Sequence, residues 1–77
     1  MTTIADGWMK YQTKVLPPDA PPIQITECRR AFFAGAWQMF CSTNEASELS
    51  ENSAMVLFEM LRQECFAFNE LVKEGKA

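Results

Sequence analysis

The stretch Val15-Leu16-Pro17-Pro18-Asp19-Ala20-Pro21-Pro22-Ile23-Gln24 holds all four prolines of the chain within six positions. Each proline fixes φ near −65° and removes an amide donor, so a helix arriving from the N-terminal side stops here. A new helix can restart only where proline falls in a first turn, whose N–H groups have no intrahelical partner. Asp19 is the expected N-cap of that second helix. Residues 16–22 therefore form a stiff corner that sets an angle between what comes before and what comes after.

Before the corner, Ile4, Trp8, Tyr11 and Val15 recur at i, i+4, i+7 and i+11, one apolar stripe over about three turns. Thr3 is placed to cap, and Asp6 in the first turn suits the positive end of the helix dipole. The expectation is a helix over about residues 3–15. It is too short to be stable alone in water and must dock.

After the corner, the spacing predicts a helix over about 22–42. Ile25, Cys28, Phe32, Gly35, Ala36 and Met39 form its main apolar stripe, and Arg29, Phe33 and Trp37 form an adjacent one at i, i+4 and i+8. The run 41–53, Cys-Ser-Thr-Asn-Glu-Ala-Ser-Glu-Leu-Ser-Glu-Asn-Ser, is rich in capping residues, with Ser42 or Ser47 as the expected cap. A third helix is expected over about 48–74, ending at Gly75. Its core stripe is Ala54, Leu57, Phe58, Leu61, Cys65, Phe68 and Val72, widened by Leu49, Val56, Met60, Ala67 and Leu71. The β-branched residues are scattered, so no strand is expected. The resulting expectation is an all-α fold: a short N-terminal helix, a proline-rich corner, then a long antiparallel helical hairpin. Helices of about 20 and 27 residues would run ~30 and ~40 Å.

Seventy-seven residues form one small domain with a thin stability margin, and such domains usually add disulfides, a metal or a partner copy. Cys28, Cys41 and Cys65 are odd in number and lack C-x-x-C spacing, and there is no histidine. Reduced packing thiols, no metal and no cofactor are the reading. Self-association remains, because the two long helices present more apolar surface than a hairpin can hide. The expected oligomer interface comprises Trp8, Tyr11, Phe40, Met60 and Phe66.

Catalysis finds little support. The commonest general base is missing, the three glycines are isolated, and Glu45, Glu48 and Glu51 read as a solvated, dipole-matched helix start. No apolar run has the ~20 residues of a membrane span. A net charge of −3 argues against general nucleic-acid binding. The charge is uneven, however. Residues 1–43 carry four basic and three acidic groups, whereas residues 44–77 carry three basic and seven acidic. An anion site is therefore expected in the first half.

The stretch 25–37, Ile-Thr-Glu-Cys-Arg-Arg-Ala-Phe-Phe-Ala-Gly-Ala-Trp, supplies the candidate. A guanidinium grips a phosphate bidentately, and an aromatic face stacks on a base. Arg29, Arg30, Phe33 and Trp37, with Lys10 and Lys14 nearby, are the expected ligand-binding residues. Cation–π contacts at a subunit interface would use the same residues, and Glu27 and Arg30 are spaced for an i,i+3 ion pair.

The run Trp8-x-x-Tyr11, Val15-Leu16-Pro17-Pro18-Asp19-Ala20-Pro21, Gln24-x-x-Glu27-x-Arg29 and Ala31-Phe32-Phe33-Ala34-Gly35-Ala36 resembles a group of small uncharacterised proteins from tailed bacteriophages and prophages of proteobacteria. The resemblance covers residues 8–37. The expected architecture is also similar to that of phage sponge proteins, which sequester cyclic-nucleotide immune signals between protomers. No sponge motif is present, so no binding residue is carried over. The resemblance implies a non-enzymatic counter-defence protein in the host bacterial cytoplasm, holding an anionic cyclic nucleotide at a protomer interface. A protein-binding inhibitor or adaptor that docks on a host protein, or a structural accessory of the virion, remains open beside it.

Overall fold

The computed structural model describes all 77 residues as three α-helices with no strand: α1 (Ile4–Lys14), α2 (Pro22–Ser47) and α3 (Glu51–Lys73). Two compact units are delimited, Met1–Cys41 and Ser42–Ala77.

In the first unit, α1 opens on a reciprocal cap. The Thr3 amide donates to Asp6 Oδ2 (2.9 Å), and the Asp6 amide donates back to Thr3 Oγ1 (3.2 Å). Two of the four amides that a helix start leaves unpaired are thereby served. The helix docks through Trp8, which is only 4 % exposed. Trp8, Tyr11 and Phe32 form an aromatic cluster. Phe32 meets Trp8 edge-on at 5.6 Å between ring centroids and Tyr11 at 5.8 Å, and Trp8 and Tyr11 stack at 5.9 Å. Gly7 faces this cluster, and a Cβ there would lie 3.4 Å from Phe32 Cζ, at the tight edge of ordinary contact.

At the corner, the Ala20 amide donates to the Pro17 carbonyl (3.1 Å), closing a turn with Pro18 and Asp19 at its centre. Pro18 thus takes the position whose φ it already satisfies. Asp19 is consequently not the cap of α2, contrary to the reading of the sequence. The Pro21 carbonyl accepts the first helical bond, from the Ile25 amide at 3.2 Å, and Pro22 is the first helical residue. Leu16, next to the corner, is buried.

Along α2, Ile25, Cys28, Phe32, Phe33 and Ala36 are half-buried, while Gly35 and Met39 of the expected core stripe are exposed. The helix also runs five residues past its expected end. Ser42 and Ala46 are the buried positions of this extension, and burial at that spacing holds the backbone helical despite the polar composition. Ser47 does not cap; its hydroxyl donates to the Asn44 carbonyl at 2.6 Å.

In the second unit the cap of α3 is Ser50, whose Oγ accepts from the Ser53 amide (3.2 Å), rather than Ser42 or Ser47. The helix closes on a Schellman motif, as glycine at 75 suggested. Gly75 takes φ +73°, its amide donates to the Val72 carbonyl (3.1 Å), and the Lys76 amide donates to the Leu71 carbonyl (2.9 Å). Ala54, Leu57 and Leu61 are half-buried, and every other apolar position of α3 is exposed. No helix is long and apolar enough to cross a membrane.

Candidate functional site

Two and a half turns of α2 build the site. Positions three and four apart share a helix face, so Ile25 and Thr26 lie one turn below Arg29 and Arg30, with Phe33 one turn above. These five residues line an open groove of about 410 Å³. Within it the Arg29 guanidinium lies over the Phe33 ring, with Cζ 5.7 Å from the centroid. Arg30 holds the expected ion pair with Glu27 at 3.2 Å, and both side chains are largely exposed. An exposed pair of this kind contributes little and exchanges readily with another anion.

Phe33 also belongs to a second groove, of about 260 Å³, lined by Ile4, Phe33, Trp37 and Phe40 and almost wholly apolar. Trp37 stacks on Phe40 there (5.7 Å, 24° between planes) and remains 65 % exposed. The structure therefore brings Arg29, Arg30 and Phe33 together and sets Trp37 beside them through Phe33. Lys10 and Lys14 are exposed on α1 and line neither groove.

Among the residues expected between copies, Trp8 is buried inside its own unit and has almost no surface left for a partner. Tyr11 packs in the same cluster with one side open. Phe40, Met60 and Phe66 are exposed. Reading the sequence missed Ile25 and Thr26 as walls of the arginine groove and Ile4 as a wall of the apolar one. The first two were findable, since they precede Arg29 and Arg30 by one turn. Ile4 was not, because it reaches the site only through the docking of α1.

No group of three or more histidine, cysteine or carboxylate side chains is placed to hold a metal. The three thiols are free.

No protein-family model matches this chain, and neither a curated protein nor a solved structure does.

Proposed function

We propose that this chain is a non-enzymatic, phage-encoded counter-defence protein of the host cytoplasm. It sequesters a phosphate-bearing cyclic nucleotide between copies of itself. The supporting observation is the groove that Arg29, already laid over the Phe33 ring, and Arg30 both line. A guanidinium held against a ring loses less freedom on binding than one moving freely in solvent, and it presents its donors edgewise to a phosphate. A volume of about 410 Å³ lies within the range of small-ligand sites. All five lining residues come from one helix, so the groove has a floor but no roof. A second protomer supplying that roof would enclose the ligand, which is why the reading takes the protein as a homo-oligomer.

The test is a binding titration of the purified protein with cyclic di- and trinucleotides and cyclic ADP-ribose-like signals. Arg29→Ala should cost about 1.5–3 kcal/mol, a ten- to hundredfold loss of affinity, as expected for a charge-assisted hydrogen bond. Arg30→Ala should cost less, because Arg30 must first leave Glu27. Glu27→Gln should tighten binding by removing the competing carboxylate. Binding should weaken as salt rises. If wild type binds none of these ligands, or binds them independently of both arginines, the reading fails.

The apolar groove favours a second reading, an inhibitor or adaptor that docks on a host protein. Exposed, stacked Trp37 and Phe40 are the kind of aromatic anchor that dominates protein interfaces. Capture of a host protein lost with Trp37→Ala but unaffected by Arg29→Ala would favour it over the nucleotide.

A further inference from the structure

The two grooves built on α2 offer opposite chemistry. Thr26, Arg29 and Arg30, the side chains that carry charge or a hydroxyl, line the first and not the second. The second is walled by Ile4, Phe33, Trp37 and Phe40 and carries no charge. Phe33 is a wall of both, so the grooves meet at one ring. Over that ring lies the Arg29 guanidinium, with Cζ 5.7 Å from the centroid. At about 260 Å³ the apolar groove is smaller than a self-sufficient small-molecule site, and its size suits part of a ligand better than a whole one. Trp37 is the flat surface in it, within 24° of parallel to Phe40 and still 65 % exposed.

We infer that the apolar groove is the base subsite of the arginine groove, and that it takes a purine without choosing between adenine and guanine. This deepens the nucleotide reading and rests on it. A nucleotide carries a phosphate and a flat ring on one frame, and it uses both grooves at once. An apolar side chain of a host protein would be satisfied by the second groove alone and would leave the neighbouring guanidinium idle.

Preference for a purine follows from stacking, because a two-ring base lays more surface on the indole than a one-ring base does. Indifference to the base edge follows from the lining. Ile4, Phe33 and Phe40 have no polar side-chain atom, and the indole N–H of Trp37 is a single donor. Adenine and guanine both present an N7 acceptor to such a donor. Strong rejection of one base needs polar groups built to pair with the other, and this groove has none beyond that N–H.

The experiment is a titration of the full chain with the cyclic dinucleotides of adenine, guanine and uracil. Wild type should bind the two purine ligands within about threefold of each other, and at least about fivefold more tightly than the uracil ligand. Trp37→Leu keeps the groove apolar but removes the flat surface. It should weaken the purine ligands by about tenfold and bring their advantage over uracil below about twofold. Trp37→Tyr, which keeps a flat ring, should retain the advantage. Arg29→Ala should weaken all three ligands alike and leave the advantage as in wild type. The ratio between ligands is the readout, since a variant that folds or assembles poorly would lose all three together.

Arg29-dependent binding without a purine advantage would overturn the base subsite and leave the nucleotide reading standing. So would a preference above about tenfold for one purine, or an advantage that survives Trp37→Leu. Failure of wild type to bind any of the three also overturns the subsite, and it extends to the nucleotide reading only if the other cyclic nucleotides fail as well.

Discussion

The aromatic residues of α1 and early α2 and those of α3 meet opposite fates. Trp8 and Phe32 pack into a cluster that leaves Trp8 almost without exposed surface, whereas Phe58, Phe66 and Phe68 stay exposed. Aromatic content does not separate the two regions. The difference lies in how closely a second helix can approach. In the first unit the bare Cα of Gly7 faces Phe32 with little room to spare, and the proline corner returns the chain so that Phe32 meets Trp8 and Tyr11. On α3 only Ala54, Leu57 and Leu61 are half-buried, and the apolar stripe outruns what covers it. Burial is thus decided by the backbone that faces a ring as much as by the ring itself.

That contrast can be broken most sharply at its two extremes. Trp8→Ala removes the side chain around which α1 docks and should cost about 3–5 kcal/mol, a large share of the stability of so small a domain. Phe66→Ala, at an exposed position, should stay within about 0.5 kcal/mol. Urea denaturation followed by circular dichroism measures both. Comparable losses would show that α3 relies on its exposed rings as much as α1 relies on Trp8.

A smaller effect sharpens the role of glycine. Nothing lies within 4 Å of a Cβ built at Gly35, so Gly35→Ala should stabilise by about 1 kcal/mol through helix propensity alone. Gly7→Ala gains the same propensity but sets a methyl group 3.4 Å from Phe32 Cζ, at the tight edge of ordinary contact. Its melting temperature should therefore rise less than that of Gly35→Ala. An equal rise would mean that Phe32 yields freely and that the close approach is incidental.

The smallest effect is a pH dependence. The bond from the Thr3 backbone amide, followed by that from its side chain, holds the Asp6 carboxyl below its ordinary 3.8. Arg62 first, then Gln63, hold Glu59 down to about 2 from 4.5. A lowered carboxyl contributes stability above its unfolded value and loses it as pH falls through the folded one. Helicity should therefore decline gently from about pH 4.5 towards 2. In Asp6→Asn the contribution from α1 should be missing while that from α3 persists. Glu59 and Arg62 are exposed, so high salt should shrink the α3 part.

The helices were legible where local chemistry is decisive. The Thr3–Asp6 cap, the proline stop and the Gly75 terminus each act within a few residues, and each stands where the sequence put it. The joint between α2 and α3 was not legible. Its serines, asparagine and glutamates suit a cap and a helix interior equally well. The burial of Ser42 and Ala46, a tertiary circumstance, carries α2 through to Ser47 and leaves the capping to Ser50. The same limit shaped the candidate site. The spacing of Arg29 and Phe33 foretold their pairing, because neighbours one turn apart on a helix must meet. That Ile4 would wall the groove beside Trp37, and that Lys10 and Lys14 would line neither groove, depended on how α1 docks.

The two tryptophans end in contrasting surroundings, Trp8 sealed within the aromatic cluster and Trp37 open beside Phe40. The protein therefore carries two native optical reporters that respond to different events. Trp8 emits from an apolar interior, out of reach of a soluble quencher such as iodide, and shifts to the red only when α1 leaves α2. Trp37 emits from a wet surface, is open to the quencher, and becomes shielded when anything settles on its groove. Quenching before and after addition of a ligand thus separates occupancy of the candidate site from unfolding of the unit that builds it, with no label attached.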